Sequence, residues 1–203
     1  TQIALQNSSV GKYRSTFDLE LAGQGTYKVY SASSSVRARW VDAQGQRQSW
    51  PDRRESADIK DFAKNVPQDA KDLNVSQSSR RIETFVTAGT PSTQVFKATN
   101  EGLELVPITH PNDLYAGETA QFSLLIDGKP AVGAEVIVLA GGMRYRNAQD
   151  EITAVTDKDG KFSITWPAAG MFWLNSSYKD DKAKAPATER QGSYTATFEV
   201  LPQ

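Results

Sequence analysis

The side chain of this sequence best suited to bind a transition metal is its single histidine. His110 is followed three residues later by Asp113, so one imidazole and one carboxylate stand close together. Such a pair is a poor ligand set, because transition-metal sites usually draw on three or four side chains. Three interpretations stay open: a divalent transition-metal site at His110 and Asp113, a loop or edge residue, or a second-sphere or partner contact. The sequence favours the second.

The glycine-rich loop of residues 141–150 is a second candidate site. Arg144, Tyr145 and Arg146 follow two glycines there. Arg and Tyr are enriched at the centres of protein interfaces, and guanidinium groups bind carboxylates through paired hydrogen bonds. These three residues predict a partner-binding surface. The alternative is a loop at the end of two strands, whose arginines pair with neighbouring acidic side chains.

Motifs that support catalysis are absent from the sequence. Asp157-x-Asp159-Gly160 resembles the start of a calcium loop, but position 12 is Ala168 where that loop needs a glutamate. The segment is better explained as a tight turn between two strands of a hairpin. No nucleophile elbow, zinc-protease, phosphate-binding or dinucleotide motif is present. We therefore predict that the protein is not an enzyme.

Composition narrows the function further. Lys+Arg 23 against Asp+Glu 24 gives a formal net charge of −1, which argues against nucleic acid as a partner. The chain has no cysteine, which excludes disulfides and thiol catalysis. No apolar run approaches the ~20 residues of a membrane helix, so we predict no direct membrane insertion. Because the chain begins with Thr1 and not with Met, we expect a mature or truncated piece of a longer protein.

The first hundred residues predict a β-domain, truncated at its start. Residues 13–21 alternate apolar and polar side chains, which predicts a strand with one buried face, and residues 27–30 are expected to pair back onto it as a hairpin. A strand at 36–40 carries Arg37 and Arg39 on its polar face. The strand at 75–87 has Ile82, Thr84 and Val86 on the face opposite Glu83.

A helical insert is predicted near residues 56–66. Its apolar face repeats at helical spacing, and Pro67 limits its end. Ser56 is the expected N-cap, and Asp58 suits the first turn. The apolar face consists of Ile59, Phe62, Ala63 and Val66. A linker at residues 99–102 then predicts a domain boundary near residue 100.

Residues 101–203 predict a second domain of about seven short strands without a helix. Turn signals such as Asp127-Gly128-Lys129-Pro130 separate segments of alternating apolar residues. One core is expected to hold Phe162, Ile164, Trp166, Trp173 and Phe198. The fold class is therefore mainly β, an antiparallel sandwich of immunoglobulin-like or prealbumin-like type, preceded by a partial β-domain with one short helix.

Three segments of the second half resemble a known bacterial exported family. They are Leu103–Asp113, Ala116–Val136 and Thr156–Trp173, and a weaker likeness extends to Lys12–Phe17 and Gly25–Lys28. The resemblance is to a periplasmic family of largely unknown function that is grouped with nickel and cobalt uptake components. Its members carry a signal peptide and an N-terminal β-domain that starts near a histidine, and this chain lacks that beginning.

The resemblance implies a periplasmic, non-enzymatic accessory protein in nickel or cobalt uptake. It would act by handling the ion or by docking to an envelope transporter or another envelope protein. The alternative is a structural or interaction module of the cell envelope with no small ligand. A divalent transition metal is the one cofactor that the resemblance suggests, and the residues alone require none.

Overall fold

The computed structural model describes residues 5–52, 55, 57–142, 144 and 147–203, and it consists mainly of β-strands. The predicted fold class is confirmed: two sheets pack face to face, and one short helix lies beside them. The strands are β1 Gln6–Val10, β2 Ser15–Asp18, β3 Gly25–Val41, β4 Arg47–Trp50, β5 Lys71–Ala88, β6 Leu103–Pro107, β7 Thr119–Ile126, β8 Lys129–Pro130, β9 Glu135–Ala140, β10 Ile152–Val155, β11 Lys161–Thr165, β12 Gly170–Asp180 and β13 Glu189–Val200.

The larger sheet has seven strands in the order β10-β9-β12-β13-β5-β3-β4. Its centre is the parallel pair of β13 and β5, in which Glu189 lies beside Ser76 and Thr197 beside Thr84. Strands from both halves of the sequence therefore belong to one sheet. The division into two domains near residue 100 stays a prediction, and the structure adds that the sheet is continuous across it.

The smaller sheet, β11-β7-β6 with β8 beside β7, covers one face of the larger sheet. The core between them is rich in aromatic rings. Trp166 packs edge-on against Phe172 at 5.0 Å between ring centroids, and Phe198 lies 5.6 Å from Phe122. The predicted core members Phe162, Ile164, Trp166 and Phe198 are all buried.

Trp173 does not belong to this core, contrary to the prediction. It is 38% exposed, whereas its neighbours Phe172 and Leu174 are 2% and 0% exposed. Strand residues alternate between faces, so only every second residue of β12 can point inward. The sequence Met171-Phe172-Trp173-Leu174 is apolar throughout and does not show which face that is.

The predicted hairpin of residues 152–166 is also wrong in its pairing. β10 pairs with β9 in the larger sheet, and β11 pairs with β7 in the smaller one. The tight turn itself is present, with Gly160 at φ 74° and the Asp157 carboxylate accepting the N–H groups of Asp159 and Lys161. These two hydrogen bonds, that from Lys161 first, lower the pKa of Asp157. The turn carries the chain from one sheet to the other.

The first predicted strand is short and exposed, and its predicted partner is wrong. β2 pairs with β1 in a separate hairpin, and all of its residues are exposed, including Phe17 at 47%. Residues 27–30 of β3 pair instead with β5. A two-stranded hairpin has no second layer to cover it, so the alternation in residues 13–21 produces no buried face.

The buried face of β5 is opposite to the one that the apolar residues suggested. Ile82 and Val86 are 40% and 37% exposed, whereas Arg81, Glu83 and Phe85 are 4%, 3% and 6% exposed. Phe85 stacks on Phe198 of the core at 6.3 Å. Because Phe85 packs into the core, the odd-numbered residues around it on β5 face inward. Arg81 and Glu83 lie on this face and are buried with it.

The predicted helical insert is confirmed in position but is only about two turns long. A 3₁₀ turn at Ile59–Asp61 continues into the α-helix α1, Phe62–Asn65. Asp58 caps the turn by accepting the N–H of Lys60, and Val66 ends the helix before Pro67. Ser56 lies outside the described residues. No helix of the described part is long and apolar enough to cross a membrane.

α1 helps to form a second, smaller core at the far end of the long strands. Ala38, Val66, Val75 and Ala187 are buried there. Trp50 packs edge-on against Phe62 at 5.6 Å between ring centroids. The two ends of the β3–β5 pair are therefore covered by apolar cores, and its middle is not.

Candidate binding edge and cleft

Strand β3 has one edge that is largely unpaired. β5 pairs with β3 from Gly25 to Val41, but on the opposite edge β4 pairs only with residues 38–41. Between residues 27 and 37, no described strand borders that edge. The stretch from Tyr30 to Ser35 is exposed throughout.

The orientation of the backbone along this edge follows from one hydrogen bond. The N–H of Thr26 points away from β5 and donates to Ser92 Oγ at 2.9 Å. Because strand residues alternate in direction, the even-numbered residues after Thr26 present their N–H and C=O groups to the open side. Those residues are Lys28, Tyr30, Ala32, Ser34 and Val36.

A cleft of about 400 Å³ lies beside the same strand, between the middle of the β3–β5 pair and the connection at residues 99–102. Most of its lining residues have polar or charged side chains. The lining residues are Ala32, Ser33, Ser34, Gln77, Ser79, Arg80, Arg81, Asn100, Glu101, Gly102, Leu103, Asp127 and Lys184. The connection approaches the strands closely: a Cβ on Gly102 would lie 2.6 Å from Ser79 Cβ, so only glycine fits there.

A buried ionic group lies beneath this cleft. Tyr194 donates its hydroxyl hydrogen to Glu83 Oε1 at 2.6 Å, and Arg81 Nη1 lies 3.8 Å from Glu83 Oε2. Burial raises the pKa of the Glu83 carboxyl, against the hydrogen bond from Tyr194. Burial also raises the pKa of Tyr194 well above its ordinary value, and the charge of Glu83 adds to this. The guanidinium carbon of Arg81 lies 5.3 Å from the ring centroid of Tyr30, which is 50% exposed.

The connection between the two halves is fixed by carboxylates. Glu104 is buried and accepts three hydrogen bonds, from the Thr99 N–H, the Thr99 hydroxyl and the Asn100 N–H, at 2.7–2.9 Å. Arg81 Nη2 donates to Thr99 Oγ1 at 2.9 Å. Arg81 therefore links the connection at residues 99–102 to the buried ionic group beneath the cleft.

Arg190 makes short, largely buried ion pairs with two aspartates. Its guanidinium donates to both carboxylate oxygens of Asp180 at 2.7 and 2.9 Å and to Asp127 Oδ2 at 2.6 Å. These bonds lower the pKa of Asp180 and raise that of Arg190. Asp127 Oδ1 accepts the N–H of Gly102 at 2.9 Å. Arg190 thus joins β13 and β12 to the β7–β8 turn of the other sheet.

Four arginines lie on the outer face of β3, β4 and β5, the face turned away from the smaller sheet. On β3 and β5 they alternate with the residues that pack inward, such as Ala38 and Arg81. Their side chains form no hydrogen bond, ion pair or ring contact with the described residues. They are Arg37, Arg39, Arg47 and Arg80.

The predicted metal ligand His110 is held in a hydrogen-bond network. Its Nδ1 accepts the N–H of Asn112 at 3.1 Å, and its Nε2 lies 2.9 Å from Thr26 Oγ1. An N–H can only donate, so Nδ1 is the acceptor and the neutral ring carries its hydrogen on Nε2. Thr87 donates to Asn112 Oδ1, which leaves Thr87 Oγ1 to accept the hydroxyl hydrogen of Thr26.

Both ring nitrogens of His110 are therefore occupied, and the nearby Asp113 carboxylate is exposed. Thr26 is 5% exposed and is not accessible as a nucleophile. The described residues contain no group of three or more His, Cys, Asp or Glu side chains that could hold a metal ion. The network connects β3 and β5 to the loop after β6.

The predicted partner-binding residues cannot be described as a group. Arg144 lies in the loop after β9, and Tyr145 and Arg146 lie outside the described residues. Beside this loop is a more apolar pocket of about 680 Å³ that includes Met171, which is 54% exposed. The surface role of Arg144, Tyr145 and Arg146 stays a prediction.

Comparison with known families places the chain. The family described as "Domain of unknown function (DUF4198)" matches residues 2–180. The chain belongs to this family. The DUF4198 match includes β3, β4 and β5 and the Asp127 side of the cleft, and it ends before β13.

Other comparisons add little to the DUF4198 assignment. No curated protein matches the chain. Among solved structures, the chain is similar to the ASH / PapD-like domain of human CEP192 (PapD-like domain 7), with a TM-score of 0.26 and 10% identity, over 58% of this chain and 99% of that domain. A TM-score this low supports no argument about a shared fold or function.

Proposed function

We propose that this DUF4198 protein is a non-enzymatic binding module of the periplasm that holds an extended segment of a partner protein as an added strand along β3. The observation that carries the proposal is the outer edge of β3, which no described strand borders between residues 27 and 37. Peptides that add to a sheet edge gain affinity from main-chain hydrogen bonds and specificity from every second side chain.

A long open edge is unusual in a protein that does not use it. Exposed edges promote unwanted pairing, and they are normally shortened, covered, bulged, interrupted by proline or protected by charged side chains. β3 has no proline, and its one irregularity lies between Arg39 and Val41, beyond the open stretch. On its other side, β3 pairs with β5 along the whole of the open stretch.

The resemblance to nickel and cobalt uptake components favours an envelope transporter or another envelope protein as the partner. Docking fits the described residues better than ion handling, because both ring nitrogens of His110 already form hydrogen bonds. Calorimetry with Ni²⁺ and Co²⁺ should therefore show no site tighter than roughly micromolar. A tight one-to-one site that is lost in His110→Ala would favour ion handling instead.

The edge itself is tested with an unbiased set of extended peptides. Nine-residue peptides are selected from a displayed random library on the purified protein, and their affinities are measured by fluorescence anisotropy. Binding should survive in Ala32→Ser, which keeps the outward N–H, and fall by at least about tenfold in Ala32→Pro, which removes it. Proline is tolerated on an open edge, and thermal unfolding checks that the variant is folded.

Amide hydrogen exchange gives a second test that needs no substitution. A bound strand should slow the exchange of the outward amides of Lys28, Tyr30, Ala32 and Ser34, since these would become hydrogen-bonded. Protection elsewhere, or selected peptides that bind Ala32→Pro as well as the native protein, would show that β3 is not the docking edge.

A further inference from the structure

The open edge of β3 lies next to an unpaired positive surface. Arg37 and Arg39 of β3 lie on the outer face two residues apart, and Arg47 is on the same face of the neighbouring β4. Arg80 of β5 lies beside Ser33. None of these four side chains forms an ion pair with a described residue. Neither β3 nor β4 contains an Asp or Glu that could neutralise them.

The side chains of β3 leave room for these arginines to reach the open edge. On the outer face of β3, the short side chains of Ser33 and Ser35 lie between the apolar Val29 and Arg37. Two strand spacings separate β5 from an incoming strand, about 10 Å. An extended arginine covers most of that distance when only the short Ser33 lies between, and an acidic side chain covers the rest.

The opposite side of an incoming strand would meet a different cation. Lys28 is the first outward residue after Thr26, and its side chain lies on the inner face, beside Phe85. The inner cleft adds Lys184 to its lining. Among the acids of this region, Glu83 and Glu104 are buried and Asp127 is bound to Arg190, whereas the exposed Glu101 also lines the cleft. On the inner face, however, the charge of Lys28 acts on Glu83 and lowers its pKa against the effect of burial, so the unneutralised positive charge lies on the outer face of the open edge.

We propose that the segment bound by β3 is acidic, with Asp or Glu at alternate positions that lie beside Arg37 and Arg80. The inference rests on the proposed strand addition and specifies its ligand class. Carboxylates bind arginine through charge-assisted, often bidentate hydrogen bonds, and alternate spacing places them on one face of the added strand. An acidic polypeptide is favoured over a lipid surface or a nucleic acid because the arginines border a strand edge.

Three synthetic peptides of one alternating design test the charge requirement. They carry Glu, Gln or Lys at every second position and are otherwise identical. At low salt the Glu peptide should bind at least about tenfold more tightly than the Gln peptide, and the Lys peptide should not bind measurably. The preference should decrease as salt increases, because the arginines are exposed.

Matched variants identify the arginines that are responsible. Arg37→Gln combined with Arg80→Gln should remove most of the preference for the Glu peptide, while the weaker binding of the Gln peptide is retained. Lys179→Gln is the control, since Lys179 lies in the same sheet but is already paired with Glu189 at 2.7 Å. Ala32→Pro should abolish the binding of both peptides.

The outcomes separate this inference from the proposed function. If the Gln and Glu peptides bind equally and both need the Ala32 amide, the acidic preference is wrong and strand addition stands. If neither these peptides nor any selected peptide depends on Ala32, strand addition itself is wrong. If anionic vesicles or RNA bind through the same arginines regardless of Ala32→Pro, the patch serves a membrane or a nucleic acid, and the inference is overturned.

Discussion

Replacing Arg190 by methionine should cost about 3 kcal/mol of unfolding free energy at pH 7. Methionine keeps most of the volume but removes all three hydrogen bonds to Asp180 and Asp127. Removing one partner of a buried ion pair typically costs ~3–5 kcal/mol, because the remaining charges stay buried and uncompensated. Here the lower end applies, since the two aspartate side chains are 11% and 12% exposed and keep some access to water.

The same substitution should change how stability depends on pH. Hydrogen bonds from Arg190 are the largest cause of the lowered pKa of Asp180. A carboxyl whose pKa is lower in the folded state contributes stability that is present above its unfolded pKa of about 3.9 and lost as pH falls through the folded value. The native protein should therefore lose more stability than Arg190→Met below about pH 4, and the difference between them should shrink there.

Urea unfolding followed by tryptophan fluorescence measures both effects. A loss of ~3 kcal/mol corresponds to a midpoint about 1–2 M lower in urea. Lys179→Met is the matched control, because the exposed pair of Lys179 and Glu189 lies on the same two strands and should contribute less than about 1 kcal/mol. A loss in Arg190→Met no larger than in this control, or a constant difference down to pH 3, would refute the reasoning.

Two other substitutions test the packing and the buried charge. Phe172→Ala should cost ~3–5 kcal/mol and Trp173→Ala less than about 1.5 kcal/mol, because only Phe172 points into the core; equal losses in urea unfolding would contradict the assigned face of β12. Glu83→Gln removes a carboxyl whose pKa is raised by burial. Stability from such a group is full below its unfolded pKa of about 4.3 and is lost as pH rises through the folded value. The stability of Glu83→Gln relative to the native protein should therefore increase as pH rises above about 4.3, whereas a constant difference would show that Glu83 ionises normally.

The second half of the chain could be predicted well because its strands alternate strictly. Phe122, Leu124 and Ile126 occupy one face of β7, and all three are buried as the pattern requires. Pairing between sheets could not be obtained in the same way. The turn at Asp157–Gly160 has the same local chemistry whether it closes a hairpin or carries the chain to another sheet. Which of the two forms depends on contacts far away in the sequence.

The first half was harder because β5 carries apolar residues on both faces. Ile82 and Val86 suggested one face, and Val75 and Phe85 lie on the other. The stacking of Phe85 on Phe198, a core residue of β13, decides between them. Nothing local to β5 indicates this, and the burial of Arg81 and Glu83 had no sequence signal.

The candidate site was missed for a related reason. An open edge is defined by the strands that do not pair with it, and the sequence of β3 alone cannot show their absence. Only part of the positive surface was visible, since Arg37 and Arg39 alternate with inward-facing residues. The position of Arg80 beside Ser33 depends on the register of the long antiparallel pairing between β3 and β5.

The arginines should also disfavour pairing of the open edge with a second copy of itself. Antiparallel pairing of two open stretches would bring Arg80 of both copies, which lies beside Ser33 near the middle of the stretch, toward one seam without a compensating acid in either β3 strand. Like charges across a strand pair are destabilising, and charged residues on an edge are a known protection against self-association. The same arginines would attract a segment that carries alternate carboxylates. The charge that selects an acidic partner in our proposal would therefore also oppose pairing between copies of the protein.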